Sequence, residues 1–354
     1  MSARSLEFVI PGDLQAATGG YAYDRRVIAG LGALGWRVTV QRLDPSFPQP
    51  SAAALEHAQR VFTGLPDQAV VLIDGLAAGA MPELLHAQAA RLRLLALVHH
   101  PVAAESGLTL DLAGRLAHSE RRALQAMRHV IVTSVATRQA LQAYGVDPQS
   151  VSVVEPGTDP APSARALRGA TLRLLCVATV IPRKGHELLL EALAPLASSP
   201  WHLTCVGSLT RSPATVARLR AQLSRLGLTR QVTITGEVDS ASLAQLYSQA
   251  DLFVLPTLLE GYGMAVAEAL AHGVPVISTN VGAIAQLVGS EAGVLVTPGD
   301  TQSLRAALAR VMNEPALLGR LAAGAAAAGS ALPDWRQACE RMSKVLDGAT
   351  APAG

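Results

Sequence analysis

Two glutamates, Glu260 and Glu268, lie in a segment whose pattern indicates a strand, a glycine turn, a helix and a second strand. Gly261 and Gly263 follow the first glutamate directly. Backbone N–H groups at a helix start favour an anion, whereas an acidic side chain just before them cannot bind that anion and suits hydroxyl groups. The segment therefore predicts a ligand that carries both phosphate and sugar.

Glu268 is the only polar side chain between Met264 and Ala271. An ionised carboxylate is costly to bury without a partner, so this side chain must meet one. A pair of vicinal ribose hydroxyls is one candidate partner. An arginine, or a neighbouring strand that Glu268 would cap, is the other.

A basic pair, Arg183 and Lys184, follows a predicted strand and precedes a helical pattern over 187–196. Basic groups at such a turn place positive charge where a diphosphate would lie, and they stabilise the charge that develops as a nucleoside diphosphate departs. Lys344 is the only other lysine in the sequence, which hints that the amine of Lys184 matters. A solvated basic turn is the alternative interpretation.

Two glycines and two histidines follow strands that are predicted in the first half of the sequence. Gly19 and Gly20 precede a helical pattern over 23–34, and glycines let a backbone approach a ligand closely. They lack the three-glycine spacing of a dinucleotide fingerprint, which disfavours an NAD enzyme. His99 and His100 follow a strand predicted over 94–98, at the end where parallel sheets bind ligands. A purely structural histidine is the alternative.

The segment 251–278 resembles the donor-site signature of the retaining, nucleotide-sugar-dependent glycosyltransferases of family 4, which have the two-domain GT-B fold. The resemblance extends over most of the chain. It implies that Glu260 contacts hydroxyls of the donor sugar and that Glu268 binds the ribose. It also implies main-chain contacts to the diphosphate from Gly261, Tyr262, Gly263 and Met264.

The same resemblance assigns the other segments. Lys184 matches a diphosphate-binding lysine, whereas the arginine that the family carries five residues earlier is Thr179 here, and Arg183 is an open candidate to replace it. His99 aligns with a histidine whose ring lies against the donor sugar, and His100 is the alternative. The expected catalytic residues are His99, Lys184 and Glu260, and the further donor contacts are expected from Gly19, Gly20, Arg183, Gly236 and Val238.

Short apolar runs alternate with helical patterns along the sequence, as in parallel sheets that helices cover on both faces. The first series of strands is predicted at 8–10, 38–40, 70–73, 94–98, 130–133 and 151–154. The second is predicted at 172–177, 203–206, 232–235, 252–255, 274–278 and 294–296. The sequence therefore predicts an α/β protein with two doubly wound, Rossmann-like domains, and the resemblance implies that they form the GT-B architecture.

Three prolines and a glycine interrupt this pattern at 155–162, where we place the linker. We expect an N-terminal acceptor-side domain over 1–157 and a C-terminal nucleotide-sugar-binding domain over 158–332. A helix expected at 334–347 would cross back to the first domain, as the resemblance implies. Ligands of open α/β sheets bind beyond the carboxyl ends of the strands, so we expect the two domains to face a cleft.

The composition excludes several classes of protein. A hydrophobic content of 50% over 354 residues supports full cores and excludes a disordered scaffold. A net charge of +2 and only 3% aromatic residues argue against nucleic acid as a partner. The apolar runs are too short for a membrane span and the first residues are not those of a signal peptide, so we expect a cytoplasmic protein. The basic segment 115–129 leaves peripheral membrane association open, beside a solvated helix face.

The motifs predict transfer of a sugar from a nucleoside-diphosphate sugar to a hydroxyl acceptor such as a small metabolite, a lipid or a saccharide, and the resemblance implies a retaining glycosyltransferase. The sequence contains no Asp-x-Asp pair and its three cysteines lack the spacing of a zinc cluster or a disulfide framework, so we expect no metal and no cofactor. A nucleotide-sugar epimerase or a phosphorylase on the same fold is one alternative. A non-catalytic sugar-nucleotide sensor is the other.

Overall fold

A computed structural model describes residues 4–105, 107–161 and 171–350. They form two compact units. The first contains the described residues up to Gly157 together with those from Pro333 onward, and the second runs from Thr158 to Leu332. Pro162, at the end of the predicted linker, lies outside the described residues.

The described part of the first unit contains one sheet of six strands. The strands are β1 (Ser5–Pro11), β2 (Arg37–Leu43), β3 (Val70–Asp74), β4 (Arg93–Val98), β5 (His129–Val132) and β6 (Val151–Val153). The helices that alternate with them are α1 (Gly19–Ala33), α2 (Ala52–Gly64), α3 (Gly75–Ala78), α4 (Pro82–Gln88), α5 (Leu110–Gln125) and α6 (Val135–Gln142).

The strands of this sheet are all parallel and stand in the order β2-β1-β3-β4-β5-β6. The order reverses between β1 and β3, and the carboxyl ends of strands beside such a switch point are where open α/β sheets bind ligands. The central strands are buried on both faces and consist mostly of Val, Leu, Ile and Ala, which explains why the sequence shows them as continuous apolar runs.

The second unit also has six described parallel strands. They are β7 (Leu172–Val177), β8 (Trp201–Val206), β9 (Val232–Gly236), β10 (Leu252–Leu255), β11 (Val276–Thr279) and β12 (Gly293–Val296). The accompanying helices are α7 (His186–Leu193), α8 (Pro213–Arg225), α9 (Ser240–Gln249), α10 (Met264–Ala271), α11 (Ile284–Val288), α12 (Thr301–Asn313) and α13 (Pro315–Ser330). The order β12-β11-β10-β7-β8-β9 puts the switch point between β7 and β10.

The last helix, α14 (Trp335–Thr350), belongs to the first unit and packs on α1. The indole Nε1 of Trp36 donates a hydrogen bond of 2.9 Å to Oγ of Ser343, and both side chains are buried. Gly30 faces Cys339 so closely that a Cβ at position 30 would overlap the Cys339 side chain. Among the described helices, none has both the length and the apolar composition that crossing a bilayer requires.

The two doubly wound sheets confirm the predicted fold class, and every predicted strand is present, β7 and β10 with the predicted ends and the others with ends shifted by one to three residues. Helix α1 begins at Gly19 rather than at Tyr23, because the side chain of Thr18 caps it by accepting a hydrogen bond from the Tyr21 amide. Strand β11 begins at Val276 rather than at residue 274, since the preceding Pro275 has no N–H for the ladder.

Candidate active site

Lys184 and Glu260 form an ion pair at the switch point of the second unit. Lys184 ends a 3₁₀ turn, Pro182–Lys184, that follows β7, and Glu260 lies in the loop after β10. The two side chains are only 13% and 11% exposed. Burial lowers the pKa of the Lys184 ammonium, and the negative charge of Glu260 opposes that shift. The fold thus brings together the residues that the sequence assigned to the diphosphate and to the donor sugar.

Two helices begin at this point with a glycine as their N-cap. Gly185 before α7 has φ 71°, and Gly263 before α10 has φ 100°, both in the left-handed region that glycine adopts without strain. A side chain at position 185 would overlap the carbonyl of Pro256. No side chain of the described structure caps either N-terminus, so the N–H groups of both first turns suit an anion.

Arg183 holds the loop that carries Glu260. Its Nη1 donates a hydrogen bond of 3.0 Å to the carbonyl of Leu259. Its own carbonyl accepts hydrogen bonds from the Leu258 amide, at 2.6 Å, and from Oγ1 of Thr257, at 3.1 Å. The guanidinium therefore positions the β10 loop beside the Lys184 turn. Whether it also substitutes for the arginine absent at position 179 stays a prediction.

Glu268 has a protein partner that the sequence does not reveal. The hydroxyl of Tyr247 on α9 donates to Oε2 of Glu268 at 2.9 Å, and it lies 3.1 Å from the carbonyl of Ala265. The ring of Tyr247 stacks on Phe253 and on His272, with centroids 6.0 and 5.1 Å away. A tyrosine that is fixed in this way can orient the carboxylate for a ligand as well as satisfy it, so the ribose role of Glu268 remains a prediction.

The glycine turn is held by apolar packing. Tyr262 is 5% exposed and packs with Ala267 and Ala283, and Met264 packs against the same cluster. Gly282 has φ 55°, and a Cβ there would overlap the carbonyl of Glu260. These side chains shape the loop, so any contacts of Tyr262 and Met264 with a diphosphate are left to their backbone.

The residues expected at the nucleotide base lie at the end of β9, the edge strand two places from β7. Gly236 ends the strand with φ 78°, and its carbonyl accepts a hydrogen bond of 3.0 Å from the Gly207 amide. Val238 is partly buried and packs on the core of the second unit. Their contacts to a base stay predictions.

In the first unit, His99 follows β4 and lies beside the start of α1. Its carbonyl accepts a hydrogen bond of 3.1 Å from Oγ1 of Thr137, and its ring stands edge-on to Tyr23 with centroids 5.5 Å apart. A Cβ at Gly20 would lie 3.3 Å from Cδ2 of His99, whereas one at Gly19 would meet nothing within 4 Å. The structure therefore groups Gly20 with His99 at the switch point of this sheet.

Two buried acids beside His99 were missed by the sequence analysis. Asp24 lies on α1 and Asp74 at the end of β3, and Nε2 of His99 is 3.5 Å from Oδ1 of Asp24 and 4.0 Å from Oδ2 of Asp74. Burial and the charge of Asp24 raise the pKa of Asp74 to about 7, and burial also raises that of Asp24. Burial alone would lower the pKa of His99, but the two acids raise it. His100 lies instead 3.6 Å from Oε2 of Glu105.

The cysteines are closer together than their sequence spacing suggests. Cys176 and Cys205 are partners across β7 and β8, and Nε2 of His186 lies 3.8 Å from Sγ of Cys176. Cys339, on α14, lies apart from them in the first unit. All three are free, buried thiols, and a cluster of Cys176, His186 and Cys205 was not foreseen from the sequence.

Two Rossmann-like sheets, with a basic and an acidic residue paired beside two glycine-capped helices at the switch point of the second sheet, are the arrangement expected for a GT-B glycosyltransferase. A family model described as "Glycosyltransferase Family 4" matches residues 25–162, and one described as "Glycosyl transferases group 1" matches residues 171–314. Each model covers less than half of the chain, and together they support a family 4-type glycosyltransferase with the GT-B fold.

Known proteins agree with this assignment. The chain is 34% identical over 253 residues to a D-inositol 3-phosphate glycosyltransferase of Rhodococcus opacus; this match covers 65% of the chain and only 57% of that relative. The structure of this chain is similar to that of sucrose-phosphate synthase from Thermosynechococcus elongatus, with 23% identity, a TM-score of 0.83 and 98% of each chain covered. It is also similar to HepE of Anabaena in complex with UDP and glucose, with 18% identity, a TM-score of 0.75, and 98% and 100% of the chains covered.

Proposed function

We propose that this protein transfers a sugar from a nucleoside-diphosphate sugar to a hydroxyl acceptor with retention of the anomeric configuration. The observation that carries the proposal is the buried Lys184–Glu260 pair at the switch point of the second unit, next to the N-termini of α7 and α10. A diphosphate is suited to the ammonium and the helix N–H groups, whereas sugar hydroxyls are suited to the carboxylate.

The reaction that these groups support breaks the bond between the anomeric carbon and the diphosphate oxygen, and its electron pair leaves with the nucleoside diphosphate. The acceptor oxygen bonds to the anomeric carbon on the same face, and the acceptor proton passes to the departing phosphate. Lys184 and the helix N–H groups stabilise the charge that grows on the diphosphate in the transition state. Glu260 and His99 orient the sugar.

We favour UDP as the nucleoside diphosphate of the donor, because the similar HepE structure is a complex with UDP and glucose. No metal is needed in this proposal, since Lys184 and two helix N-termini supply positive potential at one place. The acceptor in this proposal is a compound with a free hydroxyl group, and we expect the first unit to bind it.

The test is an incubation of the purified protein with UDP-glucose and other nucleoside-diphosphate sugars, with and without a panel of hydroxyl acceptors and with EDTA present. We expect acceptor-dependent release of nucleoside diphosphate and, by NMR, a product with the anomeric configuration of the donor. The Lys184→Ala variant should lose this activity, whereas Lys344→Ala, which removes an exposed lysine on α14, should keep it.

Three results would contradict the proposal. Conversion of the donor sugar without any acceptor would indicate an epimerase, and product formation that requires inorganic phosphate would indicate a phosphorylase. Tight donor binding without turnover on any acceptor would favour a sugar-nucleotide sensor.

A further inference from the structure

The Asp24 side chain is a buried carboxylate that the proposed reaction does not explain. It is fully buried, and neither carboxylate oxygen has a hydrogen-bond partner among the described residues. Asp74 differs, because its Oδ1 accepts a hydrogen bond of 2.8 Å from the Leu76 amide and so caps α3. A carboxylate buried without hydrogen bonds lowers the stability of the fold, and proteins keep such unfavourable groups mainly at functional sites.

The atom that faces Asp24 is Nε2 of His99. It lies 3.5 Å from Oδ1 of Asp24, just at the limit of a hydrogen bond, and it is buried without another partner in the described structure. The His99 side chain as a whole is 21% exposed, so the exposed part belongs to the rest of the ring, which carries Nδ1. One nitrogen is therefore directed at the acid and the other is left on the accessible side.

The ring has little freedom to turn away from this arrangement. Tyr23 stands edge-on to it, and the Gly20 backbone lies against its Cδ2–Nε2 edge. The hydroxyls of Thr137 and Thr133 hold the His99 carbonyl, at 3.1 and 3.4 Å. Such over-determined placement is what a side chain needs when its orientation is used by a ligand.

We propose that Asp24 is the positioning residue of His99: its carboxylate accepts a hydrogen bond from Nε2–H, so that the neutral ring presents the Nδ1 lone pair to a hydroxyl of the reacting sugar. The sugar contact rests on the proposed function, whereas the Asp24–His99 pair does not. Asp74, 4.0 Å from Nε2, adds negative charge behind the pair and has a smaller part in fixing the proton. The two acids raise the pKa of His99 against the effect of burial, which agrees with this charge coupling, and His99 in turn opposes the rise that burial causes in the pKa of Asp24.

The kinetic test compares Asp24→Asn with Asp74→Asn, with Asp111→Asn as a control that removes an exposed carboxylate of the same unit. The amide that Asp24→Asn introduces can accept a hydrogen bond from Nε2–H or, after a flip, donate one to Nε2. The variant therefore no longer selects one tautomer of His99. We expect kcat to fall about 10- to 100-fold, by analogy with the hydrogen-bond partners of metal-ligating histidines, with the donor KM changed less than about threefold. Asp74→Asn should lose less activity, and Asp111→Asn should behave as the wild type.

Stability separates this role from a structural one. The melting temperature of Asp24→Asn should equal or exceed that of the wild type, because a neutral amide is cheaper to bury than a carboxylate. Binding of UDP, which involves the second unit, should be unchanged. A variant that melts lower and loses activity in proportion would overturn the positioning role, as would one that transfers sugar at the wild-type rate.

The direct test is NMR of the full chain with ¹⁵N-labelled histidine. The protein has nine histidines, and His99→Gln identifies the signal of interest by its loss. We expect the wild type to carry the proton on Nε2, and Asp24→Asn to show both tautomers and a lower pKa for His99. A proton on Nδ1 in the wild type, or an Nε2 signal that a chelator changes because a divalent ion occupies it, would overturn the inference. An inactive wild type with an Nε2 proton would refute the proposed function alone.

Discussion

Breaking the Lys184–Glu260 pair should separate folding from function. Each side chain is nearly buried, at 13% and 11% exposed, so Lys184→Met or Glu260→Gln alone removes one charge of the pair and leaves the other in place. Removing one member of a buried pair costs about 3–5 kcal/mol, and the residual exposure places our expectation at about 3 kcal/mol. In a unit of this size that is a fall in melting temperature of about 6–12 °C. The double variant carries neither charge and should lie within about 1 kcal/mol of the wild type.

The three variants should rank differently in UDP binding and in turnover than they do in stability. In the unliganded pair Glu260 occupies the ammonium that a diphosphate needs, so Glu260→Gln should bind free UDP as tightly as the wild type or more tightly. Lys184→Met and the double variant should bind UDP weakly, because the ammonium is gone. All three should lose transfer, and Lys184→Met should lose about 100-fold or more in kcat, as when one transition-state donor is removed.

The measurements are urea unfolding, calorimetric titration with UDP and a transfer assay, with Lys344→Met as the matched control. The decisive variant is the double one, since it should be stable and inactive. If it transferred sugar at the wild-type rate, the pair would be structural only and the reasoning about the diphosphate would be refuted. The same holds if Glu260→Gln lost UDP affinity as severely as Lys184→Met.

Three further predictions concern substitutions at single residues. Burial raises the pKa of Glu120 to about 7 from 4.5, so between these pH values the native state holds a proton that the unfolded chain releases. The free energy of unfolding should therefore fall by about 3 kcal/mol as pH rises from about 4.5 to about 7. Urea unfolding at these two pH values should find a smaller fall in Glu120→Gln. Gly185→Ala should lower the melting temperature and weaken UDP binding, because its Cβ would overlap the carbonyl of Pro256 at a φ of 71°. Tyr247→Phe removes the hydroxyl that orients Glu268, so titration should find a smaller preference for UDP over its 2′-deoxy analogue.

The sheets could be predicted because their strands are continuous apolar runs, and such runs are visible without knowledge of distant contacts. Lys184 and Glu260 were also accessible, since each stands next to glycines in a local strand-turn-helix pattern. Their pairing follows from the strand order, which puts β7 beside β10, and no local pattern encodes that adjacency.

The partners of the predicted residues were hidden for the same reason. Asp24 is one acidic residue within a helical pattern, and the sequence alone gives no sign that it is buried beside His99, which follows β4. Tyr247 lies on a separate helix from Glu268, and its hydroxyl has no signal in the sequence. Asp74 gave a weak signal, because a carboxylate that ends an apolar strand stands where ligands of such sheets bind.

The return of α14 to the first unit has a consequence for engineering. Because this helix is part of the first unit and packs on α1, the second unit is inserted between Gly157 and Pro333 and does not follow the first as a tail. A chimera that exchanges the second unit for that of another family member therefore needs two splice points. A fusion made at the first junction alone would strip α14 from its seat on α1 and expose the Trp36 indole that it covers.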